Sequence, residues 1–254
     1  MIPYLIITDA NGNAYSYPTT FQISKCSLNA STNMLKYAYG SGGKQVGDGF
    51  YNYRLITIEG ALIEDNPTTF ESSLRTLVSA SLRGGQLQII SDKVNRYIQV
   101  KVPDIDYEWE FFQISKTLSI IFIAEFPFWQ DVTALSSVNV MTGNGTFTVD
   151  GSGSDYLMMP VITVAADQGV DVPSIKITNM SDGGMSFYYN DSQFTAGSTL
   201  VIDSAAGTVK LNSNDRRISL LSNSVFLRLQ PMSNSFAYEG AACTITVAWR
   251  RLYI

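Results

Sequence analysis

Histidine is absent from the chain's 254 residues. Its absence excludes the Ser-His and Cys-His pairs of nucleophilic catalysis, histidine general bases and histidine metal ligands. Charged residues are also scarce, at 15% of the sequence, whereas soluble domains typically contain about 25%. Either part of the surface is buried against other subunits, or a high strand content has raised the apolar share. The net charge of −5, without a basic stripe, argues against nucleic-acid binding.

Two cysteines, Cys26 and Cys243, lie near opposite ends of the chain and do not form a disulfide framework. We expect both to be free and buried, because an unpaired cysteine behaves as a small hydrophobic residue. No apolar run approaches the roughly 20 residues of a membrane-spanning helix. Residues 1–7 lack the basic region of a secretory signal and predict a first strand. We therefore expect neither membrane insertion nor a leader.

The first half of the chain predicts a curled sheet with one packed helix. The helix is predicted over Pro67–Arg83, with Asn66 as its N-cap and Gly84 after its end. Residues 31–50 are rich in Gly, Ser and Tyr and predict a long mobile loop, whose part 39–50 we expect to become ordered only against a neighbouring molecule. The predicted strands are Tyr4–Ile7, Tyr53–Gly60, Gln86–Ser91, Val94–Val102 (paired as a hairpin through a turn at 92–93) and Tyr107–Ile114.

A strand near the middle of the chain ends in an aromatic cluster. Residues 118–124 are apolar at both alternating sets of positions, which predicts a strand covered on both faces. Pro127 removes a ladder donor and ends the strand. Phe126, Phe128 and Trp129 then predict a packed joint between two domains, 1–131 and 132–254, whose relative angle these aromatic side chains fix.

The second half changes character, since it is rich in Ser, Thr, Asn and Gly and offers no good helix. Short strands separated by turn formers predict a β-sandwich or jelly roll. The predicted strands are Val138–Met141, Thr146–Val149, Val161–Ala165, Ser174–Thr178, Met185–Tyr189, Thr199–Asp203, Val209–Leu211, Val225–Gln230 and Cys243–Arg250.

Possible chemical motifs are weak. The loop Asp150–Asp155 has too few carboxylates and no distal Glu for a calcium loop, and Gly40–Lys44 lacks the spacing of a phosphate loop. A carboxylate pair for glycoside cleavage depends on separation in space and stays open. Aromatic platforms for a sugar are conceivable at Tyr188, Tyr189 and Trp249, although core or interface packing is the favoured interpretation of each. The basic pairs Arg216-Arg217 and Arg250-Arg251 are solvated faces or subunit contacts.

The order of elements carries a family resemblance. The segments that carry it are Arg54–Gly60, the helix, the hairpin ending in Arg96–Val102, Phe126–Trp129, Met159–Val164, Ile175–Asn179, Gly197–Asp203 and Gly207–Val209. This series resembles the distal tail proteins (Dit family) of long, non-contractile-tailed bacteriophages over nearly the whole chain. The Phe-Pro-Phe-Trp junction and the Gly197–Asp203 strand are its most specific parts.

The resemblance implies a mainly β fold in two domains. The first, 1–131, is a tail-tube-like β-barrel or sheet with one packed helix, and the second, 132–254, is a galectin-like β-sandwich. It also implies a homo-hexameric ring at the distal tip of the virion's tail, assembled in the host cytoplasm. The ring joins the tail tube protein above to the tip or baseplate hub below and anchors receptor-binding proteins. The chain has no room for an inserted carbohydrate-binding module or a long arm.

The scarcity of charge agrees with buried ring contacts, and the missing basic patches suit a lumen through which DNA passes without binding. We expect a structural protein rather than an enzyme, with no catalytic, cofactor-binding or metal-binding residues and no cofactor. The alternative is a carbohydrate-binding, lectin-like adhesion protein that uses the second half as its lectin domain.

Overall fold

The computed structural model describes residues 4–32, 51–91, 94–106, 114–124, 126 and 128–253. The predicted loop 39–50, the turn at 92–93, most of the predicted strand Tyr107–Ile114 and Pro127 lie outside these residues. The chain divides into two compact units, residues 1–130 and 131–254. Their roles as ring-forming and galectin-like domains stay predictions.

The first unit is built on an open antiparallel sheet. Its strands follow the order β2-β1-β5-β6-β7-β4-β3. One face carries the core, in which Ile7, Ile56, Leu87, Ile98 and Phe122 are fully buried. The elements are β1 (Tyr4–Thr8), β2 (Ala14–Ser16), β3 (Phe21–Thr32), β4 (Tyr51–Ile63), α1 (Pro67–Ser81), β5 (Gly85–Ile90), β6 (Asn95–Asp106) and β7 (Ser115–Ala124), followed by β8 (Trp129–Asp131).

The single helix of the described residues begins where the sequence predicts. Asn66 has an extended backbone, and its Oδ1 accepts a hydrogen bond from the Thr69 amide at 3.0 Å, while Pro67 occupies the first turn. The helix buries Phe70, Leu74 and Leu77 on one face. It ends at Ser81, two residues before the predicted end, because the next residues form a tighter closing turn that leads into glycines of positive φ.

The second unit contains two antiparallel sheets, each with one buried face, which is the arrangement of a β-sandwich. Their strand orders are β10-β17-β12-β13 and β16-β15-β14-β11-β18-β9, and a single 3₁₀ turn, Arg217–Ser219, lies after β16. The strands are β9 (Leu135–Met141), β10 (Gly145–Asp150), β11 (Val161–Ala166), β12 (Ser174–Asn179), β13 (Met185–Asn190), β14 (Thr199–Asp203), β15 (Thr208–Leu211), β16 (Asn214–Asp215), β17 (Ser233–Gly240), β18 (Cys243–Trp249) and β19 (Leu252–Tyr253). The prediction of a mainly β chain with one helix is confirmed.

One predicted strand is wrong, and several real strands, among them β3 and β17, were not predicted. Residues 225–230 are not a strand; Leu229 only forms an isolated bridge with Met158. The strand in this region is β17, which pairs with both β10 and β12 at the centre of its sheet. Phe236 and Tyr238 alternate with small or polar residues there. The leucines of 225–230 are buried all the same, so apolar content indicated burial but not strand pairing.

The cysteine prediction is confirmed at Cys243, which is free and buried in β18. Burial raises the pKa of its thiol. In the part of the chain that the structure describes, no helix is long and apolar enough to span a membrane.

Candidate assembly surface

Strands β4 and β7 pair in antiparallel register and present two different faces. Ile56 lies opposite Phe122 and Ile58 opposite Ile120. These four residues point into the core and are fully buried. Alternate residues of both strands therefore point to the opposite side of the sheet. The exposure of the residues on that opposite side shows whether both faces of the sheet are buried.

Among the described residues, the opposite face is only partly buried. Leu55 lies opposite Ile123, and Thr57 opposite Ile121. Ile123 is 40% exposed, and Leu55 and Ile121 are half-buried. In the described part of the chain this face is therefore less buried than the core face, and the prediction that both faces of the strand are covered stays a prediction. We call Leu55, Ile121 and Ile123 the open patch.

The remainder of this face is polar. Thr57, Thr117 and Ser119 follow along the same strands. Lys25 lies opposite Glu59 in the register of β3 and β4, and its Nζ is 3.5 Å from Glu59 Oε1. Both side chains of this ion pair are substantially exposed, so the pair contributes little to stability. The face changes from apolar at the open patch to polar and electrically balanced at its other end.

The aromatic cluster near residue 128 is mainly a packed one. Phe128 and Trp129 are buried, whereas Phe126 is partly exposed. The rings of Phe126 and Phe128 lie edge to face, with centroids 5.4 Å apart. This agrees with packing at the end of a strand. The predicted role in fixing an angle between domains stays a prediction.

The three candidate sugar platforms are not available for stacking. Tyr189 is fully buried, and its hydroxyl donates to Asp191 Oδ2 at 2.9 Å. Trp249 is buried at the end of β18. Tyr188 is half-buried, and the ammonium of Lys176, which pairs with Glu239 at 2.6 Å, lies 5.3 Å from its ring centroid.

The loop 150–155 is closed by the protein itself. Asp150 Oδ1 accepts from the Ser152 amide at 2.9 Å, and this bond lowers the pKa of the Asp150 carboxyl. Arg251 Nε donates to the Ser152 carbonyl at 2.9 Å. Among the described residues, no group of three or more Asp, Glu, Cys or His is arranged to hold a metal ion. The predicted phosphate-loop segment 40–44 lies outside those residues.

The basic pairs have structural partners in the second unit. Arg250 donates to the carbonyl oxygens of Asp131 and Val132. Arg216 Nε lies 3.3 Å from Asp191 Oδ2. Arg217 is exposed. Arg216 therefore pairs with a buried carboxylate, and Arg250 and Arg251 bind backbone carbonyl oxygens. The sequence did not predict these roles.

Two buried carboxylates organise the second unit, and neither was singled out from the sequence for this role. Asp182 accepts from Arg228 Nε at 3.1 Å and from Gln230 Nε2 at 2.6 Å. Asp191 accepts from Tyr189, from Ser219 Oγ at 3.0 Å and from the Gln193 amide at 2.9 Å. Burial alone would raise the pKa of Asp191, but these donors and Arg216 lower it. In both clusters the carboxylate oxygens accept hydrogen bonds from several donors, which stabilises the loops that carry them.

Comparisons with known proteins place the chain among phage tail components. Residues 153–253 match the family model "Siphovirus-type tail component, C-terminal domain". A comparison with curated protein sequences gives no match.

Among solved structures, the chain resembles the Dit protein (gp 19.1) of phage SPP1, with a TM-score of 0.67 and 11% identity over 98% of this chain and 99% of that one. That protein is described as a paradigm of the hub adsorption apparatus of phages that infect Gram-positive bacteria. Two structures of the phage P2 baseplate in its activated conformation, with calcium or strontium, cover the full length of both chains at 11% and 9% identity. Their TM-scores are 0.49 and 0.47.

The overall fold is thus shared with a Dit protein over nearly the whole chain. The family model adds a match in sequence over most of the second unit. Residues 153–253 thus match the C-terminal domain of a siphovirus-type tail component, and the chain has the fold of a Dit protein.

Proposed function

We propose that six copies of this protein form a ring at the distal end of the phage tail, where the ring joins the tail tube to the tip or baseplate hub. Residues 1–131 build the ring, and DNA passes through its lumen without binding. Residues 132–254, a galectin-like sandwich, lie outside it and anchor receptor-binding parts. The protein acts by assembly and performs no catalysis.

The observation that carries this proposal is the open patch. Leu55, Ile121 and Ile123 lie side by side on adjacent strands; Ile123 is 40% exposed and the other two are only half-buried. Clustered exposed apolar side chains on a sheet face are characteristic of subunit contacts. A second copy of the chain that packs on this face would bury them. Hexamers of Dit type need such a contact between neighbouring first units.

The low charge of the chain supports the same proposal. Only 15% of its residues are charged, and a subunit that buries much of its surface needs fewer charged residues to cover it. Association should depend on the open patch rather than on ion pairs. The assembly should therefore persist at high salt, since apolar contacts are not screened.

Sedimentation velocity of the purified protein tests the proposal. We expect a hexamer, or two associated hexamers, in both low and high salt. A protein that remains monomeric at every concentration would overturn the ring. A lysine at Ile123 should dissociate the hexamer, whereas a lysine at Ile218, which is 92% exposed in the second unit, is the matched control and should not.

A further inference from the structure

A polar hollow in the second unit forms beside the tight turn between β15 and β16. Its volume is about 320 Å³, and its lining residues are Gln193, Leu211, Asn212, Asn214, Asp215 and Arg216. Leu211 lies opposite Asn214 in the strand register, so the turn has two residues. Both of them, Asn212 and Ser213, have positive φ, of 47° and 71°. This is the backbone of a type I′ hairpin, which holds its strands in one register.

The guanidinium of Arg216 is held in position by Asp191, which is not part of the lining of the hollow. Its Nε lies 3.3 Å from Asp191 Oδ2, and the two side chains are 24% and 6% exposed. Tyr189 and Ser219 hold the same carboxylate oxygen, and the Gln193 amide holds the other. A charged group whose rotamer is locked by a buried partner is preorganised for binding.

Two polar side chains of the lining, the amides of Gln193 and Asn214, make no hydrogen bond in the described part of the chain, while Arg216 pairs with Asp191 through its Nε. Asn212, by contrast, is committed to the fold, since its amide accepts from the Thr199 amide and donates to Ser198 Oγ. The free donors and acceptors thus converge on one hollow whose walls are held by other residues.

The charges of the site decide the ligand class. Arg216 and Asp215 supply one positive and one negative charge to the lining, and Asp191 already balances the guanidinium from behind. An anion would therefore gain little Coulombic attraction here. Amides, a guanidinium and a carboxylate together offer both donors and acceptors, which is the complement of vicinal hydroxyl groups. We propose that the Arg216 hollow binds a neutral saccharide.

The hollow is large enough for one sugar ring, because small-molecule sites begin at about 300 Å³. Its lining lacks an aromatic ring to stack on the sugar, and a site of this kind should bind in the millimolar range. Binding is independent of the proposed ring, since every residue of the hollow belongs to the second unit.

Saturation-transfer difference NMR on the full chain tests the inference. The probes are the methyl glycosides of glucose, galactose and N-acetylglucosamine, and inorganic phosphate is the competing anion. We expect transfer to at least one glycoside with a millimolar dissociation constant, and no displacement by phosphate. Arg216→Lys, which keeps the charge near Asp191 but loses the planar pair of donors, should weaken binding at least about tenfold.

Asn214→Ala provides the second variant, because its side chain makes no contact that the fold depends on. It should weaken binding several-fold even if Arg216→Lys proves unstable. Arg217→Gln changes the neighbouring exposed arginine and should leave binding unchanged. The inference is overturned if no glycoside shows transfer, if transfer survives unchanged in Asn214→Ala, or if phosphate displaces the sugar. Ring assembly of Asn214→Ala, measured in parallel, should be normal.

Discussion

Replacing Ile123 with lysine places a charge at the centre of the open patch. Ile123 is 40% exposed in the chain, so the substitution disturbs the core of the first unit only slightly. A lysine at Ile120, three residues earlier on the same strand but fully buried on its other face, would instead unfold the unit. Ile123→Lys is therefore a variant that should fold and fail to assemble.

The expected loss of free energy of association follows from the exposed fraction of the Ile123 side chain. Complete burial of an isoleucine side chain contributes about 1.5–3 kcal/mol. Covering the exposed 40% thus contributes on the order of 1 kcal/mol per interface. A lysine loses that term and adds the cost of desolvating an ammonium group, which is several kcal/mol unless the side chain reaches solvent. A total of about 3 kcal/mol weakens each contact more than about 100-fold.

Analytical ultracentrifugation of wild type, Ile123→Lys and Ile123→Val separates the loss of apolar burial from the cost of desolvating a charge. The valine variant loses one methylene group and should assemble nearly as well as wild type. The lysine variant should sediment as a monomer with an unchanged far-UV circular dichroism spectrum. Hexamers of Ile123→Lys with the wild-type concentration dependence would refute the assignment of the open patch to the ring interface.

Other substitutions test the packing and charge of the described residues. Trp129→Ala should lower the free energy of unfolding by about 3–5 kcal/mol in urea titrations, because a buried indole leaves a cavity; a loss below about 1 kcal/mol would show that the aromatic cluster is not packed. Asp182→Ala should cost about 3–5 kcal/mol by removing the buried carboxylate that accepts from Arg228 and Gln230, whereas Lys176→Ala, which breaks a more exposed pair, should cost under about 1 kcal/mol; equal losses would contradict the burial argument. The pKa of Asp191 is lowered in the folded protein, so its stabilisation is complete above the unfolded pKa and is lost as pH falls through the folded one. Asp191→Asn should be less stable than wild type at neutral pH and lose less stability on acidification; identical acid profiles would contradict this assignment.

The local elements with their own signals were predictable from the sequence. Asn66 and Pro67 specify the start of α1 by capping chemistry, and the spacing of Phe70, Leu74 and Leu77 specifies its buried face. Alternating strands such as Thr199–Asp203 were also predicted at their observed bounds. In each of these cases the signal is contained within a few neighbouring residues.

Features that depend on distant partners were not predictable. β17 carries an ordinary alternation of small and aromatic residues, and it becomes a central strand only because β10 and β12 bind its two edges. Residues 225–230 have stronger apolar character but no neighbouring strand. The composition of β7 likewise indicates two apolar faces, yet it does not say that one of them stays partly exposed in the chain. Pairing partners lie far away in sequence, so local pattern does not encode them.

The Arg216 hollow was not predictable from the sequence either. Gln193 lies on one loop, and Asn214 and Arg216 lie about 20 residues further along the chain. The hairpin turn and the buried Asp191 bring them together. From sequence alone, Arg216-Arg217 is a basic pair like many others, and only the structure separates the arginine that is held from the one that is exposed.

Native mass spectrometry of the purified full-length protein tests the central claim most directly. The account predicts a complex of six times the chain mass of 27.9 kDa, or twice that for two associated rings. It also predicts that Ile123→Lys gives the single-chain mass. A wild-type protein that shows only the single-chain mass at all concentrations would contradict the ring.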